Sequence, residues 1–300
     1  MGGPSPDLSA SPTTAAAAVR PRPAFLRALG REEPPGRVLV ASRSHRLVRV
    51  FKHDSWAATA LYRQEGEGAD LGDGEHDGAL LVCKFNRQAS VFGLPLAWLG
   101  PMLAGREARF LSRLAGTGRV PAVEREVRDG RGRLLHHAVA HAFVVGEPLS
   151  KRAVLQDAFF PALQQLLAGM HAAGLAYVDL HKMENVLVGS DGLPWLIDFQ
   201  VSFALPQHEP WRSLGRPLFD LLRRGDSYHL IKHWIRLRPD QCGLGPADLD
   251  RFRPRWIRWH RRIGVPLRSL RRRLLAWLQV RDASGHARSE VFTEEGLRDR

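Results

Sequence analysis

Three residues within positions 175–203 have the types and spacing for metal and proton chemistry: Asp179, Asn185 and Asp198. An Asn amide oxygen held beside an Asp carboxylate makes a pair of hard oxygen ligands suited to Mg²⁺. That ion keeps several waters and binds through one or two carboxylates plus phosphate oxygens. Asp179 lies on the loop after a helical segment, where a carboxylate can accept a proton from a hydroxyl nucleophile. Taken singly, each of these residues is an ordinary turn former. Their significance comes from the frame around them. Two apolar runs, Asn185-Val-Leu-Val188 and Trp195-Leu-Ile197, flank Gly189-Ser-Asp-Gly192, which reads as a β-hairpin with a glycine-bracketed turn. Asn185 opens the first strand and Asp198 closes the second, so antiparallel pairing brings the two side by side.

This stretch resembles the catalytic loop and metal-binding motif of the protein-kinase-like superfamily, in which an Asp base and a metal-binding Asn precede an Asp-Phe-Gly. The resemblance makes Asp179 the catalytic base, Asn185 the second-metal ligand and Asp198 the Asp of Asp-Phe-Gly. Three departures stand out. Asp179 and Asn185 are six apart where the usual loop has five, so His181-Lys182-Met183 must accommodate an extra residue. Val178 replaces the loop Arg, and Gln200 replaces the Gly after Asp198-Phe199.

The other expected parts follow in the family's order. The run Ala79-Leu-Leu-Val-Cys-Lys-Phe85 resembles the strand that carries the nucleotide-binding lysine, which makes Lys84 the candidate for the α/β-phosphates of ATP. An ammonium among buried-looking positions needs a partner, and Glu107, in the helical segment after it, is the obvious one. The connection Lys52-His-Asp-Ser-Trp-Ala57 stands where the family has a glycine-rich loop, yet it holds no glycine. Lys52, His53 or Ser55 would have to contact phosphates instead. Residues 136–145 read as a strand that ends at a hinge-like Val145-Gly-Glu-Pro-Leu149. Backbone groups of residues 142–145, Val145 among them, would then read the adenine edge. Lys182 would neutralise the transferring phosphoryl group.

The elements around these parts are legible from pattern. Residues 38–40, 47–51 and 57–62 read as strands. In residues 159–174, Phe160, Leu163, Leu167 and Met170 form a helical apolar stripe that ends at Gly174. Residues 88–105 carry no charge; they read either as a buried approach to the Glu107 helix or as an exposed apolar lip, and their prolines and glycines argue against a membrane span. After Phe203 only residues 204–217 precede a helix at 218–222, with no Ala-Pro-Glu ending, so the peptide platform of protein kinases is missing. Asp220 is either an interior anchor or a solvated helix residue.

At 300 residues and 44% hydrophobic, the chain suits a two-lobed enzyme, and two cysteines indicate neither a disulfide framework nor a cysteine zinc cluster. The net charge of +13 is almost wholly arginine, since the lysines are only Lys52, Lys84, Lys151, Lys182 and Lys232. The last third interleaves arginines with Trp256, Trp259 and Trp277. This suits an anionic membrane surface, with nucleic acid the weaker competitor and a solvated basic face the bland alternative.

The expected fold is α+β, a two-lobed protein-kinase-like fold with an antiparallel-sheet N-lobe and a mainly helical C-lobe bearing extra basic C-terminal helices. Its expected divisions are a disordered leader (1–35), N-lobe (36–145), C-lobe core (146–238), basic helical extension (239–283) and polar tail (284–300). The chain looks most similar to small atypical bacterial kinases, either of the lipopolysaccharide-core and Kdo kinase type or RIO-like. That resemblance implies Mg²⁺-ATP phosphotransfer to a hydroxyl, of a lipid-linked sugar at the cytoplasmic membrane face or of a protein. A pseudokinase scaffold that binds membrane or RNA is the alternative from another class.

Overall fold

Apolar runs between residues 37 and 142 become strands of one antiparallel sheet. The computed structural model describes residues 23–66, 79–90, 94–124 and 126–252. The acidic loop before residue 79, the polar tail and the Trp256, Trp259 and Trp277 region lie outside the described residues. In chain order the elements are β1 (Arg37–Val40), β2 (Arg43–His53), β3 (Ala57–Gln64), β4 (Leu80–Asn86), α1 (Leu99–Leu114), β5 (Val123–Glu124), β6 (Val127–Asp129) and β7 (Ala138–Ala142). The strand order is β5-β7-β4-β3-β2-β1-β6, with every pairing antiparallel.

Period-two alternation sorts β4 into two faces. Cys83 and Phe85 join Val38, Val40, Ala58, Ala60, Tyr62, Ala138 and Ala140 in one buried cluster. Val82 packs with Phe51 and Leu61 on the other face, and Lys84 shares that face. Helix α1 lies against the sheet through Ala104 and Ala108, which meet Val139. Its C-terminal residues Phe110, Leu111 and Leu114 enter the core of the helical half instead, so this one helix joins both cores. Its start divides the uncharged stretch: Gly100 and Ala104 are buried, whereas Leu94, Trp98 and Met102 are exposed.

The second half contains β8 (Gly146–Pro148), α2 (Phe159–Ala172), β9 (Leu175–Ala176), β10 (Val186–Gly189), β11 (Pro194–Leu196), β12 (Phe203–Ala204) and α3 (Trp211–Leu237). The buried stripe of α2 packs with Leu175, Tyr177, Leu180, Val186, Leu196 and Phe199. Gly174 ends α2 in the left-handed region at φ 72°, the conformation that glycine adopts without steric cost. At Gly146 an added Cβ would lie 2.6 Å from the Val188 carbonyl, so β8 can approach β10 only as glycine. Among the described residues the architecture is therefore α+β. Helix α3 begins at Trp211, earlier than the pattern suggests, because Pro217 is accommodated inside it.

Residues 23–35 depart from the expected unstructured leader. Ala28 is buried and its carbonyl accepts the N–H groups of Gln88 and Ala89, both at 2.9 Å. Ser55 donates to the Leu26 carbonyl at 2.9 Å, and Tyr62 donates to the Pro35 carbonyl at 2.7 Å. These bonds run mostly to backbone, so composition carries no trace of them.

Candidate active site

The β10–β11 hairpin forms in the expected register, with Val186 opposite Leu196 and Leu187 opposite Trp195. The Ile197 N–H donates to the Asn185 carbonyl at 3.1 Å, which sets Asp198 beside the start of β10. Asp198 itself adopts φ 60°, a conformation that Asp tolerates better than most residues.

Lys84 reaches this point from β4. Its Nζ lies 2.8 Å from Asp198 Oδ1 and 3.2 Å from Glu107 Oε2. Burial works against the ammonium, but Asp198 and Glu107 outweigh it and move its pKa upward. Burial likewise opposes ionisation of Asp198. The adjacent Lys84 reverses that effect, with help from Lys182 and Lys52, and brings the carboxyl down to about 2. Glu107 is pushed up by burial, only partly offset by Lys84. The side chain of Asp198 is 29% exposed, so it is the member of the trio that faces the cleft.

Asp179 is 5% exposed and heavily engaged. Its Oδ2 accepts Lys182 Nζ at 2.7 Å and Asn185 Nδ2 at 2.9 Å, and His181 Nδ1 lies 3.1 Å from Oδ1. Burial opposes the Lys182 ammonium, but the hydrogen bond to Asp179 overrides it and raises its pKa.

Mg²⁺ fits the residues present. Asn185 commits its amide N–H to Asp179, which leaves Oδ1 as its ligating atom. Asp198 commits Oδ1 to Lys84, and among the described residues no hydrogen bond engages its Oδ2. No cluster of three His, Cys, Asp or Glu suited to a metal occurs among the described residues. These two hard oxygens would form the protein's share of a shell that phosphate and water complete.

The β2–β3 turn stands where phosphates would be covered. Asp54 Oδ1 accepts the N–H groups of Trp56 and Ala57 at 2.7 and 2.9 Å, closing the turn through a side chain instead of through glycine. His53 is turned toward Arg27 and Glu33, and Ser55 toward Leu26, so neither faces the cleft. Lys52 pairs with Asp54 at 2.7 Å and adds to the positive field at Asp198. Val145 is 66% exposed, and its carbonyl already accepts the Ser190 N–H at 3.2 Å. The Phe143 N–H donates to the Leu80 carbonyl at 3.0 Å, so the expectation that Val145 helps read an adenine edge narrows to its N–H, to Val144 and to the Phe143 carbonyl.

Sequence reasoning missed the group that holds the Asp179 loop. Asp226, on α3, accepts the Tyr177 N–H and the Val178 N–H, each at 2.8 Å, and lies 3.0 Å from His171 Nε2. Asp220, the residue considered for that task, is half-buried and pairs with Arg223 and Arg216 on its own helix. The signal was available in spacing: Phe219, Asp226, Leu230 and His233 recur at helical intervals and are all buried. His233 Nε2 lies 2.8 Å from the Leu180 carbonyl and braces the same loop. Gln200 also has a partner, donating to Asn86 Oδ1 at 2.6 Å.

No protein-family model matches the chain, and no curated protein matches it. Among solved structures it is similar to the Rio2 kinase from Chaetomium thermophilum, at 15% identity and a TM-score of 0.45 over 70% of this chain and 63% of that one. It is also similar to an ADP/Mg²⁺-phosphoaspartate complex of Rio2 kinase from the same organism, at 17% identity and a TM-score of 0.42 over 71% and 61%. The chain thus spans less than two thirds of the solved structures it matches. At this level of similarity neither the activity nor the acceptor of those proteins carries over to it.

Proposed function

We propose that the chain transfers the γ-phosphoryl group of Mg²⁺-ATP to a hydroxyl acceptor. The observation that carries this reading is Lys84 held between Asp198 and Glu107, with Nζ 2.8 Å from one carboxylate and 3.2 Å from the other. A buried ammonium in that position presents a fixed cation to phosphate oxygens. Asp198 and Asn185 would hold Mg²⁺, which when bound neutralises charge on the phosphates. Glu107 orients Lys84. Lys182, whose Nζ lies 2.7 Å from Asp179 Oδ2, would neutralise the transferring group, and Lys52 would supply a second cation from the β2–β3 turn. The N–H of Val145 with its neighbours Phe143 and Val144 would meet the adenine edge. Phosphoryl transfer depends chiefly on positioning and charge neutralisation, so this set suffices for the reaction class.

The acceptor we favour is a hydroxyl of a lipid-linked sugar. Only six residues, 205–210, separate β12 from α3, which leaves little chain to form a platform for an extended peptide. The Arg/Trp-rich sequence after residue 252 would suit the anionic membrane face where such an acceptor lies, and no helix among the described residues is long and apolar enough to cross a membrane. A protein hydroxyl is the alternative acceptor.

Incubation of the purified chain with γ-labelled ATP, glycolipid and candidate proteins tests this. The reading expects Mg²⁺-dependent label on glycolipid, abolished by Lys84→Met. Label on protein alone would overturn the acceptor. Stabilisation by Mg²⁺-ATP without any transfer, even to water, would leave a nucleotide-binding scaffold in place of an enzyme.

A further inference from the structure

The loop's extra residue brings an imidazole to the carboxylate expected to act as base. Oδ2 of Asp179 accepts Lys182 and Asn185, and His181 Nδ1 stands 3.1 Å from Oδ1. Asp179 is 5% exposed, whereas the His181 side chain is 49% exposed. The imidazole is therefore the more accessible of the two groups to a hydroxyl from solvent. The His229 ring stands against His181 with centroids 5.8 Å apart, so the ring is held between α3 and the loop.

We propose that His181, backed by Asp179 at its Nδ1, is the catalytic residue that takes the acceptor's proton on Nε2. The inference rests on the phosphotransfer reading and deepens it. A carboxylate beside one ring nitrogen selects the tautomer whose other nitrogen has a free lone pair, and it stabilises the imidazolium that forms. In the step, the acceptor O–H bond breaks and its proton passes to Nε2 as the oxygen bonds to the γ-phosphorus. The bond from that phosphorus to the β–γ bridging oxygen breaks, and ADP leaves with the electron pair. The imidazolium then returns its proton to water.

The groups facing His181 are Asp179, Lys182 and Glu184 on the loop and His229, Lys232 and His233 on α3. Burial lowers the pKa of His181, and Lys182 and Lys232 add to that against the opposing pull of Asp179 and Glu184, so the ring is neutral and able to accept a proton at pH 7.

The test needs no identified acceptor, because water can serve as one. Mg²⁺-ATP hydrolysis is measured from pH 5 to pH 8.5 for the wild type and His181→Gln, alongside thermal shift with Mg²⁺-ATP. The expected result is a rate at least about 10²-fold lower in the variant, loss of the acid limb of the wild-type profile, and an unchanged nucleotide-induced shift. In parallel, long-range ¹H–¹⁵N spectra of the wild type read the ring directly, with His181 assigned by its absence from the variant. They should show Nδ1 protonated and Nε2 bare at neutral pH. A wild-type rate and profile in His181→Gln, or a proton resident on Nε2, overturns the inference alone. Absence of both hydrolysis and Mg²⁺-ATP stabilisation in the wild type overturns the phosphotransfer reading and this inference with it.

Discussion

The carboxylate of Asp226 accepts the backbone N–H of Val178 at 2.8 Å, across 48 residues of chain. Val178 is in the left-handed region at φ 72°, where a β-branched residue is strained. A buried charged acceptor on α3 thus holds the residue next to Asp179 in a conformation it would not adopt unaided. Asp226→Ala should destabilise the fold by about 3 kcal/mol or more, because two buried N–H groups lose a charged partner. Asp220→Ala, which breaks only exposed ion pairs on its own helix, should cost no more than about 1 kcal/mol. Urea unfolding midpoints of the two variants check this, and equal costs would remove Asp226 from its anchoring position.

Removal of Lys84 leaves Asp198 and Glu107 facing each other without a cation. Lys84→Met should lose the thermal shift with Mg²⁺-ATP, which in the wild type amounts to about 2.7 kcal/mol at 100 times the dissociation constant.

The same variant reports on pH. Asp198 has a folded pKa of about 2, below the ordinary carboxylate value, so its pairing stabilises the fold fully above about pH 4 and less as the pH falls toward 2. The difference in unfolding free energy between wild type and Lys84→Met should shrink as the pH falls from about 4 toward 2, while the raised Glu107 carboxyl adds a separate pH dependence at higher pH. A gap that persists unchanged to pH 2.5 would contradict the Lys84–Asp198 pairing.

Asp198→Ala and Asp179→Ala should fail in different ways. On the proposed reading the first removes a metal oxygen, so the Mg²⁺-dependent part of ATP binding should disappear in a metal titration followed by thermal shift. The second leaves nucleotide binding intact and lowers turnover by about 10²-fold or more. Turnover within a few fold of wild type in Asp179→Ala would exclude Asp179 from proton transfer, whether direct or through His181.

Gln200→Ala removes the 2.6 Å bond to Asn86 that ties the turn after Asp198 to the end of β4. The expected cost is about 1 kcal/mol, together with faster amide exchange confined to residues 199–203. Exchange unchanged there would mean the turn is held by Ser202 alone, whose hydroxyl donates to the Tyr177 carbonyl at 3.0 Å and whose own carbonyl accepts Arg106.

Much of the site was legible because its parts announce themselves locally. The hairpin around Gly189–Gly192, the β-branched and apolar run ending in Lys84 and the apolar stripe of α2 each repeat at the period of the element they form. What stayed hidden depends on contacts between distant segments. What separates Asp226 from Asp220 is its helical register with Phe219, Leu230 and His233, a spacing that becomes decisive only once that face is seen to be buried. Residues 23–35 read as low-complexity because their role is to offer backbone carbonyls, which side-chain composition does not encode. The spacing of six in the loop was visible, but where the added residue's ring would fall required the coordinates.

The Lys84 amine couples positions 114 residues apart, and that has a kinetic consequence. Any breathing motion that parts the sheet from the hairpin must first separate the buried Lys84 ammonium from Asp198, leaving it with Glu107 on α1. On the proposed reading, entry of nucleotide would substitute phosphate oxygens for one of those partners, and departure of ADP would have to restore it. On that reading the latch that grips the substrate would also be what the product has to wait for.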